Sequence, residues 1–433
     1  MTARLWLRRI GVLLLIAPML AVALSMTASF VPDRLIIEEL AEAVSRNEVA
    51  TFFQVGISGR PQDTFSDCIA LTMGLGDTEG GPASVWLRSP TLGSCDGAID
   101  SIVAYEAGEG LSGGYEYFRY WHGYTIVSRP LVATVGVSGQ RILLFWTAIG
   151  ALALFARRLW RYHGFWAPIA LLGPFLLTTD TVELSRSIPH GVPVVVALLG
   201  AWWLHRLSSD EGRSNLEVAS AAFLVGSAYL FVDLLTTPPG AWALCTGSAM
   251  LAAANHMKNR EIALRGSLTA AAWIFGWTWT WVSKWVLAAL LLGYDEVRRN
   301  IGGAIEDRVG GERDYIELAW FNPIERNLTT WWAHPLTPPV VAGIIVLAVV
   351  LARRNDFPAT WRTRLLIAAP AAIPLIWFEV LRNHSLVHGF VYRSLGVSAG
   401  LIALALIIGP KSLRDVDRTD TSAEHGIAQF VEN

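Results

Sequence analysis

Basic residues in this chain fall in short clusters separated by apolar runs. The clusters are Arg4/Arg8/Arg9, Arg157/Arg158/Arg161, Arg206/Arg213, Lys258/Arg260/Arg265, Arg353/Arg354/Arg362/Arg364 and Lys411/Arg414/Arg418. Between one cluster and the next lie two apolar stretches joined by a non-basic turn, or two stretches flanking a long polar loop. Lys and Arg mark cytoplasmic loops, so each cluster belongs inside and each intervening segment outside. The alternation predicts an all-α polytopic membrane protein with both termini in the cytoplasm. A mean hydropathy of +0.42 and only 16% charged residues exclude an ordinary soluble chain of this length. No basic surface beyond the loops suggests nucleic-acid binding.

The apolar runs predict about ten spans, near 10–30, 139–156, 165–179, 191–206, 216–235, 239–255, 267–292, 337–352, 364–381 and 394–409. Several fall short of the usual ~20 residues. The chain thus divides into an N-terminal transmembrane helix (1–30), an extracytoplasmic loop subdomain (31–136), a nine-helix membrane domain (137–410) with an outer loop at 293–336, and a cytoplasmic tail (411–433). The first span resembles a signal peptide, with Ala21-Val22-Ala23 as a cleavage site, but reads better as a retained anchor. An amphipathic helix is expected at 35–44, and a helix–turn–helix returning to the interface at Trp331/Trp332 in the second outer loop. The tail is polar and aperiodic, the signature of disorder. Cys68 and Cys95 share the first outer loop, and an oxidising compartment favours a disulfide between them over two free buried thiols.

Ionisable groups collect at the outer ends of the spans. They include Asp33, Arg129, Arg141, Asp180, Glu183, His190, Asp233, Lys284, Glu379, His384, His388 and Arg393. This one-sided stock favours chemistry at the outer surface over passage through the membrane. Residues 115–124 are dense in aromatics, with Arg119 and His122 embedded beside Tyr120 and Trp121 and with Arg129 just beyond. Such a segment is either an interfacial belt or a platform that stacks a sugar and grips phosphate. His384 and His388 stand i, i+4, with Arg393 following. The pair reads as a phosphate clamp, a structural junction or metal ligands lacking a third partner. Asp67 and Asp33 are the candidate bases, each equally placed to cap a helix. Asp233 and Lys284 suggest an internal polar network or an architectural ion pair.

Phe65-Ser66-Asp67, Arg119-Tyr120-Trp121-His122-Gly123-Tyr124 with Arg129-Pro130-Leu131, Phe231–Thr236, Ser283-Lys284-Trp285 and Asn383-His384-Ser385 with His388 and Arg393 together resemble bacterial polytopic membrane proteins of cell-surface polysaccharide biosynthesis. The wider architecture resembles the C-type glycosyltransferase superfamily. That resemblance implies a bacterial inner-membrane enzyme that moves a sugar from a polyprenyl-phosphate donor to a glycan or lipid acceptor at the outer face. Asp67 or Asp33 would then be the base, and Arg119, His122, Arg129, Lys284, His384, His388 and Arg393 would surround the donor phosphate. The acidic pair that family carries directly after its first span is missing here, since Asp33 stands alone until Glu38/Glu39. The resemblance therefore assures no cofactor and leaves a divalent metal open. The competing functions are a lipid-linked glycan flippase or transporter and a non-catalytic envelope-assembly subunit.

Overall fold

The computed structural model describes residues 3–49, 63–76, 86–111, 113–181, 186–309, 319–353 and 361–407. Glu183, Lys411, Arg414, Arg418 and the tail expected to be disordered lie outside the described residues.

The region after α1 (Ala3–Ala28) comprises α2 (Asp33–Ser45), α3 (Thr64–Leu71), β1 (Pro90–Thr91), α4 (Cys95–Glu106) and β2 (Tyr115–Glu116). The strands pair antiparallel, Pro90 opposite Glu116, and form the single sheet among the described residues. Helix α2 buries Ile36, Ile37, Leu40, Ala41 and Ala43, the apolar face expected of its amphipathic sequence. Cys68 and Cys95 form a disulfide that joins α3 to the start of α4, with Cα atoms 5.2 Å apart. Asp63 and Ser94 cap those two helices through their side chains. Asp67 therefore sits within the first turn of α3 and is not its cap. Asp33 likewise opens α2 as its first helical residue, after Pro32.

The rest is helical: α5 (Thr125–His163), α6 (Trp166–Thr178), α7 (Ile188–Ser208), α8 (Asn215–Val232), α9 (Pro238–Ala253), α10 (Asn259–Leu292), α11 (Tyr294–Val309), α12 (Asn322–Trp332) and α13 (Thr337–Arg353). They are followed by α14 (Trp361–Ala368), a 3-10 turn (Ala369–Ala372), α15 (Ile373–Val380), α16 (Arg382–Val387), a second 3-10 turn (Val391–Arg393) and α17 (Ser394–Ile407). Helix α5 is interrupted at Gly136, where φ is +69°.

Among the described residues five helices are long and apolar enough to cross a membrane: Ile10–Ala28 of α1, then α5, α7, α8 and Trp361–Val380. Helices α12 and α13 meet at 96° and add a sixth if taken as one broken span. The remaining expected spans differ for physical reasons. Helices α6 and α17 have 13 and 14 residues, short of the ~20 that a bilayer requires. Helix α9 is enclosed by protein, with Trp242 its one side chain that is not buried. Helix α10 has the length, but Trp, Thr, Gly and Lys dilute its apolarity.

Small residues let these helices approach closely. A Cβ on Gly226 of α8 would lie 2.0 Å from the Trp273 carbonyl oxygen of α10, and one on Gly276 would lie 2.1 Å from that of Phe223. One end of the bundle gathers basic residues and their contacts: Arg265 donates to Asn215 and to the Arg213 carbonyl, Arg158 donates to His205, and Thr363 donates to Asn259. The opposite end brings Asp63, Asp67 and Asp180 together with His190, His334, Arg141 and Arg393.

Candidate functional site

At that opposite end, His190 in the first turn of α7 bridges two segments. Its Nε2 lies 3.0 Å from Asp63 Oδ2, and its Nδ1 lies 3.4 Å from Arg393 Nη1. Arginine can only donate, so Nδ1 accepts and Nε2 carries the proton toward Asp63. Burial opposes an ionised Asp63, but the hydrogen bonds from His190 and Ser66 outweigh it and hold the carboxyl well below its usual range.

A second acid–histidine pair adjoins the first. Asp180 Oδ1 is 3.4 Å from His334 Nε2, and the Leu336 N–H donates to His334 Nδ1, which leaves the His334 proton on Nε2. Tyr392, the neighbour of Arg393, places its hydroxyl 3.5 Å from Asp180 Oδ2. Asp180 is buried at φ +48°, a strained backbone for any residue but Gly.

Asp67 joins this end differently. Its Oδ2 takes a 2.8 Å hydrogen bond from Arg141, and its Oδ1 accepts the N–H of Ile188 at the start of α7. Both oxygens are thus committed. His384 donates from Nε2 to the Leu235 carbonyl and packs on His388 with ring centres 4.5 Å apart. His388 stacks on Phe390, which in turn meets His190 edge to face. Asp233 is fully buried at the end of α8. Its Oδ1 accepts from the Thr236 N–H and hydroxyl, while its Oδ2 has no hydrogen-bond partner among the described residues. It lies within electrostatic reach of His190. A cavity of about 30 Å³, enough for a water, opens beside Arg393, Tyr229 and Thr237.

The aromatic segment builds a separate, neighbouring cluster. His122 Nε2 donates to the Tyr117 carbonyl and Nδ1 accepts from the Tyr124 hydroxyl. Burial lowers its pKa to about 3, and the cations Lys284 and Arg119 push the same way. Neutral and doubly bonded, the ring has no donor left for a phosphate. Lys284 is fully buried, donates to the carbonyls of Trp86 and Leu87, and faces the rings of Trp86 and Trp121. It does not pair with Asp233; backbone carbonyls and aromatic faces replace the expected ion pair. Arg119 lies over Tyr117, and its carbonyl accepts from Trp281 and Trp285. Tyr120 stacks on Trp281, and Trp121 donates to the Thr280 carbonyl.

Arg129 is spent as a latch. It donates to the carbonyls of Ala28, Val31 and Met73 and pairs with Asp33. The five segments singled out in the sequence therefore fall into two groups. Asp67, Asp233 and His384/His388/Arg393 share one network, whereas Arg119/His122 and Lys284 share another. The two are joined where the Gly123 N–H donates 2.7 Å to the Phe231 carbonyl, two residues before Asp233. Sequence reading left out Asp63 and His334. The signals available were the Asp63-Thr64 cap pattern and a lone His between Trp332-Ala333 and Pro335. Among the described residues no group of three or more His, Cys, Asp or Glu is arranged to hold a metal ion. No family model matches this chain, and neither a curated protein nor a solved structure is similar to it.

Proposed function

We propose that this chain is a bacterial inner-membrane glycosyltransferase that moves a sugar from a polyprenyl-phosphate donor to an envelope glycan or lipid at the outer face. The observation that carries the reading is the convergence of Asp63, Asp180, Asp233, His190, His334, His384 and Arg393, from segments up to some three hundred residues apart, at one end of the bundle. The basic residues of the described helix ends, such as Arg158, Arg213 and Arg265, lie at the other end, which supports a multi-span arrangement with that end cytoplasmic and residues 31–136 as an outer cap.

In this reading Asp233, rather than Asp67 or Asp33, is the general base. Arginines neutralise the other two, while Asp233 keeps one carboxylate oxygen uncommitted. Asp233 takes the proton of the acceptor hydroxyl as that oxygen bonds to the anomeric carbon of the donor sugar. The bond from that carbon to the phosphate oxygen breaks, and the polyprenyl phosphate leaves with the electron pair. Arg393 and His388 stand beside the departing charge, where positioned donors have their largest effect. Tyr120, Trp121 and Arg119 border the acceptor side.

The test is transfer of label from a panel of radiolabelled polyprenyl-phosphate hexoses and pentoses by the full chain in liposomes. Asp233→Asn is expected to lower transfer by about 10²–10⁴-fold, the usual range for a lost general base, with donor binding intact. Full activity in that variant ends the assignment. The fully buried Asp233 and Lys284 favour a second reading, a lipid-linked glycan transporter, because such groups also line transport paths. Translocation of a labelled lipid-linked glycan without any transfer would select it.

A further inference from the structure

We propose a lipid site elsewhere on the molecule: the groove between α6, α13 and α17 holds one hydrocarbon chain of an anionic membrane lipid, with its phosphate at the Arg158–His163 end. The inference is independent of the transferase reading, because this end of the bundle lies opposite the acid–histidine cluster.

The groove has a volume of about 860 Å³ and is lined mainly by apolar side chains. Ala170, Gly173 and Leu177 supply one wall and Gly343, Leu347 and Leu351 the facing wall, with Ala403 and Ile407 behind. Its lining on α6 runs from Trp166 to Leu177, which at 1.5 Å per residue is about 16 Å, a trough rather than a pit. The volume lies in the upper part of the ~300–1,000 Å³ range of ligand pockets. Helix α13 buries no side chain between 338 and 351, so the bundle alone does not fill the space beside it. Protein interiors are close-packed, and apolar walls of this extent need hydrocarbon against them. In a bilayer the adjacent hydrocarbon is lipid.

The polar atoms of the groove fix the orientation of that lipid. Tyr162 and His163 line one end only. Arg158 donates from Nε to His205 Nδ1, so the buried His205 carries its proton on Nε2 and donates it 2.9 Å to His163 Nε2. His163 is thereby left with its proton on Nδ1, a donor without a partner among the described residues. The Arg158 guanidinium lies 3.9 Å over the Tyr162 ring, and Arg157 and Arg161 are exposed on the same last turns of α5. Arginines and a pre-set imidazole donor suit a phosphodiester, and the same arginines repel the ammonium of a zwitterionic headgroup, which favours the lipid with net negative charge.

The test is native mass spectrometry of the full-length protein in detergent after addition of dioleoyl phosphatidylglycerol or dioleoyl phosphatidylcholine. The expected result is one retained phosphatidylglycerol per chain, at least fivefold over phosphatidylcholine. In Gly173→Leu/Gly343→Leu, retention of both lipids should fall at least fivefold. A Cβ at either glycine meets nothing within 4 Å, so the filled groove leaves the packing intact. His163→Phe should keep the chain site and lose the preference for phosphatidylglycerol. Equal retention of the two lipids by the unaltered protein overturns the headgroup assignment, and that comparison needs no variant. Undiminished retention by the filled variant overturns the groove.

Discussion

Two residues near the helix ends, His122 and Arg129, are held by completed hydrogen-bond sets, and each makes a different demand on the fold. His122 adopts φ +54° while both ring nitrogens are bonded within the same turn. Its folded pKa of about 3 lies below its ordinary 6.5. Between those values the unfolded chain binds a proton that the folded one refuses, so stability rises with pH through the window and is lost as pH falls. The contribution is at most about 1.4 kcal/mol per pH unit. Denaturant midpoints in detergent at pH 4 and 6.5 should differ in the native protein, and the difference should change in His122→Gln by the loss of this contribution. Arg129 places its guanidinium on three carbonyls from two separate segments. Arg129→Leu orphans all of them and strands Asp33, a loss of several kcal/mol that would show as failure to recover folded protein. The conservative Arg129→Lys should also be poorly tolerated, because an ammonium cannot span that fork.

The close pairs between elements are the most sensitive to added volume. Gly226→Val drives a side chain into the Trp273 carbonyl across the contact of α8 with α10. A destabilisation of about 1–3 kcal/mol or more is expected from overpacking, read as a lowered unfolding midpoint. The Cys68–Cys95 bridge belongs to the same scale, because it fixes α3, which Asp63 caps and which bears Asp67, to α4. Breaking it with Cys68→Ser/Cys95→Ser should cost about 3–4 kcal/mol in the loop-entropy account. The loss should appear first as proteolysis within residues 31–124 and only later in the helices that follow.

At the scale of the whole molecule, side is the testable quantity. Impermeant thiol reagents should label Glu109→Cys in intact cells and leave Glu211→Cys unlabelled, both positions being exposed. The reverse pattern inverts the arrangement. Helical content, the amphipathic 35–44 face and the disulfide pair were legible in the sequence because each is written in local spacing or in a shared compartment. The polar network was legible only in part. Asp180 and His190 stood out by type at span ends, but Asp63–His190 and His334–Asp180 are contacts between residues more than a hundred apart, and no local pattern encodes them. The Lys284 cage was invisible for another reason, since its partners are carbonyls, which every residue carries. The disulfide also bears on the order in which the molecule is made. Cys95 is complete long before α7 emerges, so the bridged α3–α4 unit can close early and wait, with Asp63 and Asp67 in place, for Ile188 and His190. Arg393 and Tyr392 arrive within the last tenth of the chain. A ribosome halted before them would leave an intermediate in which Asp63 and Asp180 have their histidines but lack Arg393 and Tyr392.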